Sequence, residues 1–91
     1  MALIAAVVAL SSTAYCQAGV MADGTYTRPG SVAMDALPLH VRIRASRSPY
    51  GPRRRFTVRD RIGFGSQLDF FVPSCARARQ WGRRTVLVHV L

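Results

Sequence analysis

The stretch Arg59-Asp60-Arg61-Ile62-Gly63-Phe64-Gly65-Ser66-Gln67-Leu68-Asp69-Phe70-Phe71 joins two strand-like runs through a glycine-punctuated turn. On its N-terminal side, Phe56-Thr57-Val58-Arg59-Asp60 alternates apolar and polar side chains, the period-two pattern of a half-buried strand. Asp60 shares the parity of Phe56 and Val58, so alternation predicts that it points inward at the strand end. On the C-terminal side, Leu68 and Phe70 share one parity and Asp69 takes the other. The chain holds four acidic residues, Asp23, Asp35, Asp60 and Asp69, and two of them bracket this one turn. Aspartate beside glycine in a basic chain is also an ordinary turn former or arginine partner, and that reading stands beside the functional one.

Working outward, short strands with turn signals between them continue in both directions. Ser12–Cys16 reads as a first strand, and the segment from Gln17 to Gly30 is turn-rich at Gly19, Asp23-Gly24 and Pro29-Gly30, with Thr25–Thr27 a short extended piece. Asp23 is expected to be a turn residue only. Ser31–Asp35 is another short strand, and Pro38 keeps Ala36–Leu39 out of a sheet interior. His40–Ala45 alternates, with Val41, Ile43 and Ala45 on one face and Arg42 and Arg44 on the other. Pro73–Trp81 is the one convincing helix, with Ser74 as N-cap and Gly82 closing its C-terminus. Arg84–Leu91 is a last strand, apolar on both faces and therefore expected to lie centrally. Short strands and one helix predict a mainly β fold, a small antiparallel or mixed barrel.

The length, 91 residues, suits one small domain, and a domain of this size has little core to spare. Two cysteines, Cys16 and Cys75, permit one intramolecular bridge if the protein is exported and are buried thiols if it is cytosolic. Neither belongs to a CxxC or Cys/His cluster, so no zinc, other metal or cofactor is expected. The formal charge is +9, carried entirely by arginine, which attracts carboxylate- and phosphate-bearing polymers. The absence of lysine is equally a mark of a GC-rich genome. Ala2–Leu10 is an apolar run too short for a membrane helix, followed by Ser11, Ser12 and Ala14. Residues 1–11 are therefore read as a signal-like segment and 12–91 as the domain, with Met1 left open as the true start.

With the strands in place, the pattern resembles the 3D domain family, named for three aspartates. The resemblance rests on Thr13-Ala14-Tyr15-Cys16, Met21-Ala22-Asp23-Gly24, Pro29-Gly30-Ser31-Val32-Ala33-Met34-Asp35, Leu37-Pro38-Leu39, Arg59-Asp60-Arg61-Ile62-Gly63, Leu68-Asp69-Phe70-Phe71, Pro73-Ser74-Cys75-Ala76, Trp81-Gly82 and the valine-rich final strand. It covers about Ser12 to Leu91, and Asp35, Asp60 and Asp69 stand for the three aspartates. The family implies a six-stranded double-psi β-barrel related to membrane-bound lytic transglycosylase A, rare lipoprotein A-like proteins and expansins. It implies an extracytoplasmic monomer acting on peptidoglycan or another acidic wall glycan, with no stable membrane span, and a Cys16–Cys75 disulfide. It makes Asp69 the catalytic acid with Asp60 beside it, and leaves Asp35 a supporting residue expected to cap backbone amides of a neighbouring loop. Tyr15, Arg61, Gly63 and Gln67, close to these aspartates, are expected to contact substrate.

The chemistry suits a chain with few acids. A lytic transglycosylase uses the substrate's own C6 hydroxyl as nucleophile, so one carboxyl first protonates the leaving oxygen and then accepts the hydroxyl proton. That carboxyl must be protonated at working pH, through burial or a second carboxylate nearby. Leu68, Phe70 and Phe71 supply the first condition and Asp60 the second, whereas a guanidinium from Arg59 or Arg61 on Asp69 would favour a structural ion pair. His40 and His89 lack partners in sequence, and Trp81 is expected to anchor the core. Arg53-Arg54-Arg55 is a solvated loop or a holder of acidic stem peptides or teichoic acids. The alternatives are a wall-binding or expansin-like module without catalysis, and a nucleic-acid binder, which charge alone supports and which is not expected.

Overall fold

A computed structural model describes residues 7–91. Its elements run β1 (Val7–Tyr15), β2 (Ser31–Ala33), β3 (Arg42–Ala45), β4 (Arg54–Asp60), β5 (Leu68–Phe71), α1 (Cys75–Trp81) and β6 (Arg84–Val90). The six strands close into a barrel in the order β1-β5-β2-β4-β3-β6. Two neighbouring pairs, β1/β5 and β2/β4, are parallel, and the others are antiparallel, so the barrel is mixed. A closed sheet leaves no unpaired edge.

Alternation drives the closure. Inward positions place Leu10, Val32, Ile43, Ala45, Phe56, Val58, Leu68, Phe70, Val86 and Val88 in one buried cluster with Met34 and Trp81. Phe70 is fully enclosed and meets Phe56 and Trp81 edge to face, at centroid distances of 5.0 and 5.7 Å. Burying one large apolar side chain contributes roughly 1.5–3 kcal/mol, so this aromatic row is a main source of stability. The indole Nε1 of Trp81 donates to Ser12 Oγ (3.2 Å), which donates in turn to Arg84 O (2.7 Å), so the buried polar atoms of this corner are satisfied.

Several boundaries differ from the sequence reading. β1 begins at Val7, not Ser12, because residues 7–12 pair antiparallel with β6. Residues 7–11 of the signal-like segment are therefore the first half of β1, and residues 1–6 of it lie outside the described residues. β3 starts at Arg42, because His40 takes a left-handed backbone (φ 73°) that no strand accommodates. β6 has partners on both sides as expected, yet its outward Leu87 remains exposed.

The helix is short and fastened at both ends. Ser74 Oγ accepts from Arg77 N (3.2 Å), and Gly82 ends the helix with a positive φ of 61°. At the first helical residue, Cys75 is bridged to Cys16 just beyond β1, with a sequence separation of 59. Closing a loop of that size stabilises the folded chain by about 4 kcal/mol through the unfolded state. Thermal unfolding should show this directly. Reduction, or a Cys16→Ser/Cys75→Ser variant, is expected to lower stability by roughly 2–5 kcal/mol, and an unchanged midpoint would mean that the bridge contributes nothing.

Candidate functional site

The site is built by one irregularity. β2 and β4 run in register from Ser31↔Thr57 to Val32↔Val58, and then the register shifts so that Ala33 faces Asp60. Arg59 is the extra residue, a β-bulge. The bulge reverses the parity of the residue after it. Asp60 leaves the inward face shared by Phe56 and Val58 and joins Ala33 on the outer face, contrary to the expectation from alternation. Ala33 also pairs with Asp69 on its other side, and Asp69 pairs with Thr13. Thr13, Asp69, Ala33 and Asp60 thus form one row across β1, β5, β2 and β4, outside the barrel.

Asp69 is half-buried. Burial raises its pKa above the ordinary carboxylate value, the charge of Asp60 adds to the rise, and a hydrogen bond from Thr13 opposes it. Thr13 Oγ1 lies 3.0 Å from Asp69 Oδ1 and 2.6 Å from Ser66 Oγ, and Ser66 Oγ lies 3.1 Å from Leu68 O. Burial and the neighbouring charge of Asp60 thus favour the neutral acid, while the hydrogen bond that Thr13 donates favours the carboxylate.

Asp60 Oδ1 accepts from Ala22 N (3.0 Å) and Arg61 N (2.9 Å). Tyr15 completes the group. Its ring packs edge to face on Phe71 at 5.4 Å, and its buried hydroxyl lies toward Asp60. Burial, with Asp60 and Asp69 nearby, pushes its pKa up, so the phenol keeps its proton beside the two carboxyls. The Tyr15 ring, packed on Phe71, forms a wall of the site.

The arginines next in sequence stay off this row. Arg61 Nη1 donates to Met34 O (2.7 Å) and Leu37 O (2.6 Å). Asp35 answers from the bend after β2: its Oδ1 accepts from Ile62 N (3.0 Å) and its Oδ2 from Gly63 N (3.3 Å). This double clasp fixes the start of the loop between the two aspartates, with Gly63 and Gly65 at positive φ of 87° and 110°. Gln67 Oε1 accepts from Ser11 N (3.0 Å) and holds the other end to β1. Arg61, Gly63 and Gln67 are thus occupied in shaping the loop. Beside Ser66 a cavity of about 190 Å³ opens, lined by Leu10, Asp35, Ala36, Ser66 and Gln67. Phe64, at the loop tip, is 93% exposed.

Arg59 is engaged by Asp23, which is more than a turn residue. Asp23 Oδ1 accepts from Thr25 N (2.9 Å) and Thr25 Oγ1 (2.6 Å). Its Oδ2 meets Arg59 Nη1 (2.9 Å) and His40 Nε2 (3.0 Å), and its side chain is only 1% exposed. These are the only ion pairs among the described residues. The Thr25 hydroxyl first, then the Thr25 amide, Arg59 and His40, hold the Asp23 carboxyl well below the usual carboxylate range. Thr13, Ser66, Phe64 and the Asp23 hub were missed by sequence reasoning. Thr13 was findable as the residue two before Tyr15 on the same strand face; the Asp23–Arg59 pairing spans 36 residues and left no local signal.

Among the described residues, no group of three or more His, Cys, Asp or Glu side chains is placed to hold a metal ion, and no helix is long and apolar enough to cross a membrane. No protein-family model matches the chain, and no curated protein or solved structure matches it.

The Asp23 hub has a pH signature. A carboxyl whose folded pKa is depressed contributes stability that is fully present above its unfolded value and is lost as pH falls toward the folded one. Asp23→Asn is therefore expected to melt below wild type at pH 7. The gap should narrow once the pH drops below about 4, where the unfolded carboxyl protonates. A gap that persists undiminished at low pH would contradict the assignment.

Proposed function

We propose that the protein cleaves wall glycan in the manner of a lytic transglycosylase, with Asp69 as the single general acid and base. The observation that carries this reading is a half-buried Asp69, its pKa raised by burial and by Asp60, set in one row with Asp60 while the two arginines that flank Asp60 in sequence, Arg59 and Arg61, are engaged elsewhere. The resemblance to the 3D domain and to double-psi barrels points the same way, as does the extracytoplasmic setting that a Cys16–Cys75 disulfide favours.

In this mechanism protonated Asp69 gives its proton to the glycosidic oxygen as the bond from C1 to that oxygen breaks. The C6 hydroxyl of the same sugar closes on C1 and returns its proton to the Asp69 carboxylate. No water is consumed, and no second carboxyl has to activate one. Asp60 raises the affinity of Asp69 for its proton and faces the positive charge that develops at C1. Thr13 and Ser66 orient the acid. The cavity beside Ser66 receives a neighbouring sugar, and exposed Phe64 offers it an apolar face. Asp35 and Arg61 act at a distance, by holding the loop.

The test is incubation of purified protein with peptidoglycan and analysis of the products. The expected outcome is muropeptides with 1,6-anhydro ends from the wild type, and a loss of at least 100-fold, on the order expected for a general acid, in Asp69→Asn with the fold intact. Phe64→Ala should raise KM more than it lowers kcat. Products with reducing ends, or full activity in Asp69→Asn, would overturn the mechanism. Binding to sacculi that survives the substitution, without any release from wild type, would leave a non-catalytic wall-binding module in its place.

A further inference from the structure

The same outer face carries a second feature that the aspartates do not use. β4 presents Thr57 between Ser31 of β2 and Arg42 of β3. Around this row a cavity of about 270 Å³ is lined by Arg28, Arg42, Arg55 and Arg59 together with Ser31 and Thr57. Arg59 is paired with Asp23, but the guanidinium groups of Arg28, Arg42 and Arg55 make no ion pair and no hydrogen bond among the described residues. The second observation is independent of charge. Ser31 is 1% exposed, and its hydroxyl is buried without any hydrogen-bond partner. A hydroxyl that loses water on folding and gains nothing in return is unfavourable, and native structures seldom leave one so without a reason.

We propose that this cavity is an oxyanion-binding site, taking a carboxylate or phosphate group, in which Ser31 supplies a neutral donor and Arg28, Arg42 and Arg55 the charge. An oxyanion provides the acceptor that Ser31 lacks and the counter-charge that the arginines lack, and planar guanidinium groups suit both anions. The site lies along the strands from the acids. Ser31 and Ala33 are two residues apart on one face of β2, roughly 7 Å, so the anion site sits beside the Thr13–Asp69–Ala33–Asp60 row. Resting on the wall-glycan reading, the ligand is an acidic substituent of the polymer being cleaved: the carboxylates of a stem peptide or the phosphates of a polyol-phosphate chain. An anion held at this distance would fix which sugar reaches Asp69.

Calorimetric titration with inorganic phosphate at low salt, on the whole chain, reads this site without any cleavage. Arg42→Gln is expected to weaken phosphate binding by roughly tenfold, the scale of one charge-assisted hydrogen bond. Arg79→Gln, which removes the same charge from the exposed helix surface, should change it less than twofold. Ser31→Ala should leave the melting temperature of the free protein unchanged or higher, yet weaken phosphate several-fold, a combination that a merely structural serine does not give. Asp69→Asn should bind phosphate as wild type does, so the anion site and the cleavage reading fail separately. A second titration compares an acidic muramyl peptide with a glycerol-phosphate oligomer, and the tighter ligand, if Arg42→Gln abolishes its advantage, identifies the source. Equal losses from Arg42→Gln and Arg79→Gln would reduce the cavity to a diffuse positive field and overturn the proposal, as would no detectable phosphate binding or an unchanged affinity in Ser31→Ala.

Discussion

The bulge at Arg59 is the constraint on which the rest of the site depends. A regular β4 would send Asp60 into a barrel already filled by Val58, Phe56 and Phe70, where a carboxyl has no partner. One extra residue turns it outward, opposite Ala33, which is also opposite Asp69. Two acids on strands that do not touch each other are brought to either side of one small side chain. Ala33 is the spacer, and its size matters: a larger residue there would stand between the carboxyls. The bulge also frees Arg59 to reach Asp23 across the face.

A very basic chain here keeps the arginines nearest in sequence off two of its four acids. Charge alone predicts that Asp60 and Asp69 are neutralised by Arg59 and Arg61, which flank Asp60 in sequence. Instead Arg59 is drawn to Asp23, and Arg61 to the carbonyls of Met34 and Leu37. Asp23, its carboxylate covered by Thr25, Arg59 and His40, behaves as a structural carboxylate. Asp69 is half-buried, and burial together with the charge of Asp60 raises its pKa. The two environments push like side chains in opposite directions, a separation that accompanies acid–base function. The arginines left over are not spread evenly: three of them, Arg28, Arg42 and Arg55, gather around the unpartnered Ser31.

Much of the barrel was legible in the chain. Alternation located β3, β4, β5 and β6 to within a few residues, and Pro73, Ser74 and Gly82 delimited the helix by their local chemistry. What failed did so for physical reasons. A bulge leaves the apolar–polar pattern of Phe56–Asp60 intact while reversing its last member, so parity misdirected Asp60. His40 looked like a strand residue because its side chain fits the alternation; its backbone does not. Asp23 looked like a turn residue because Asp-Gly is a turn signal, and nothing local announces an arginine 36 residues away. The candidate acids themselves were visible because acids are so scarce here, whereas Thr13 and Ser66 are hydroxyl residues of ordinary type whose importance lies only in where they meet.

In the proposed mechanism Asp69 holds a proton that Asp60 helps to keep. Carbon-13 NMR of the aspartate carboxyls, followed over pH with Asp69 assigned from the Asp69→Asn spectrum, tests it most directly. The expected midpoint for Asp69 lies above the ordinary value of about 3.9 and moves down in Asp60→Asn. A midpoint at or below that value in the wild type would contradict it.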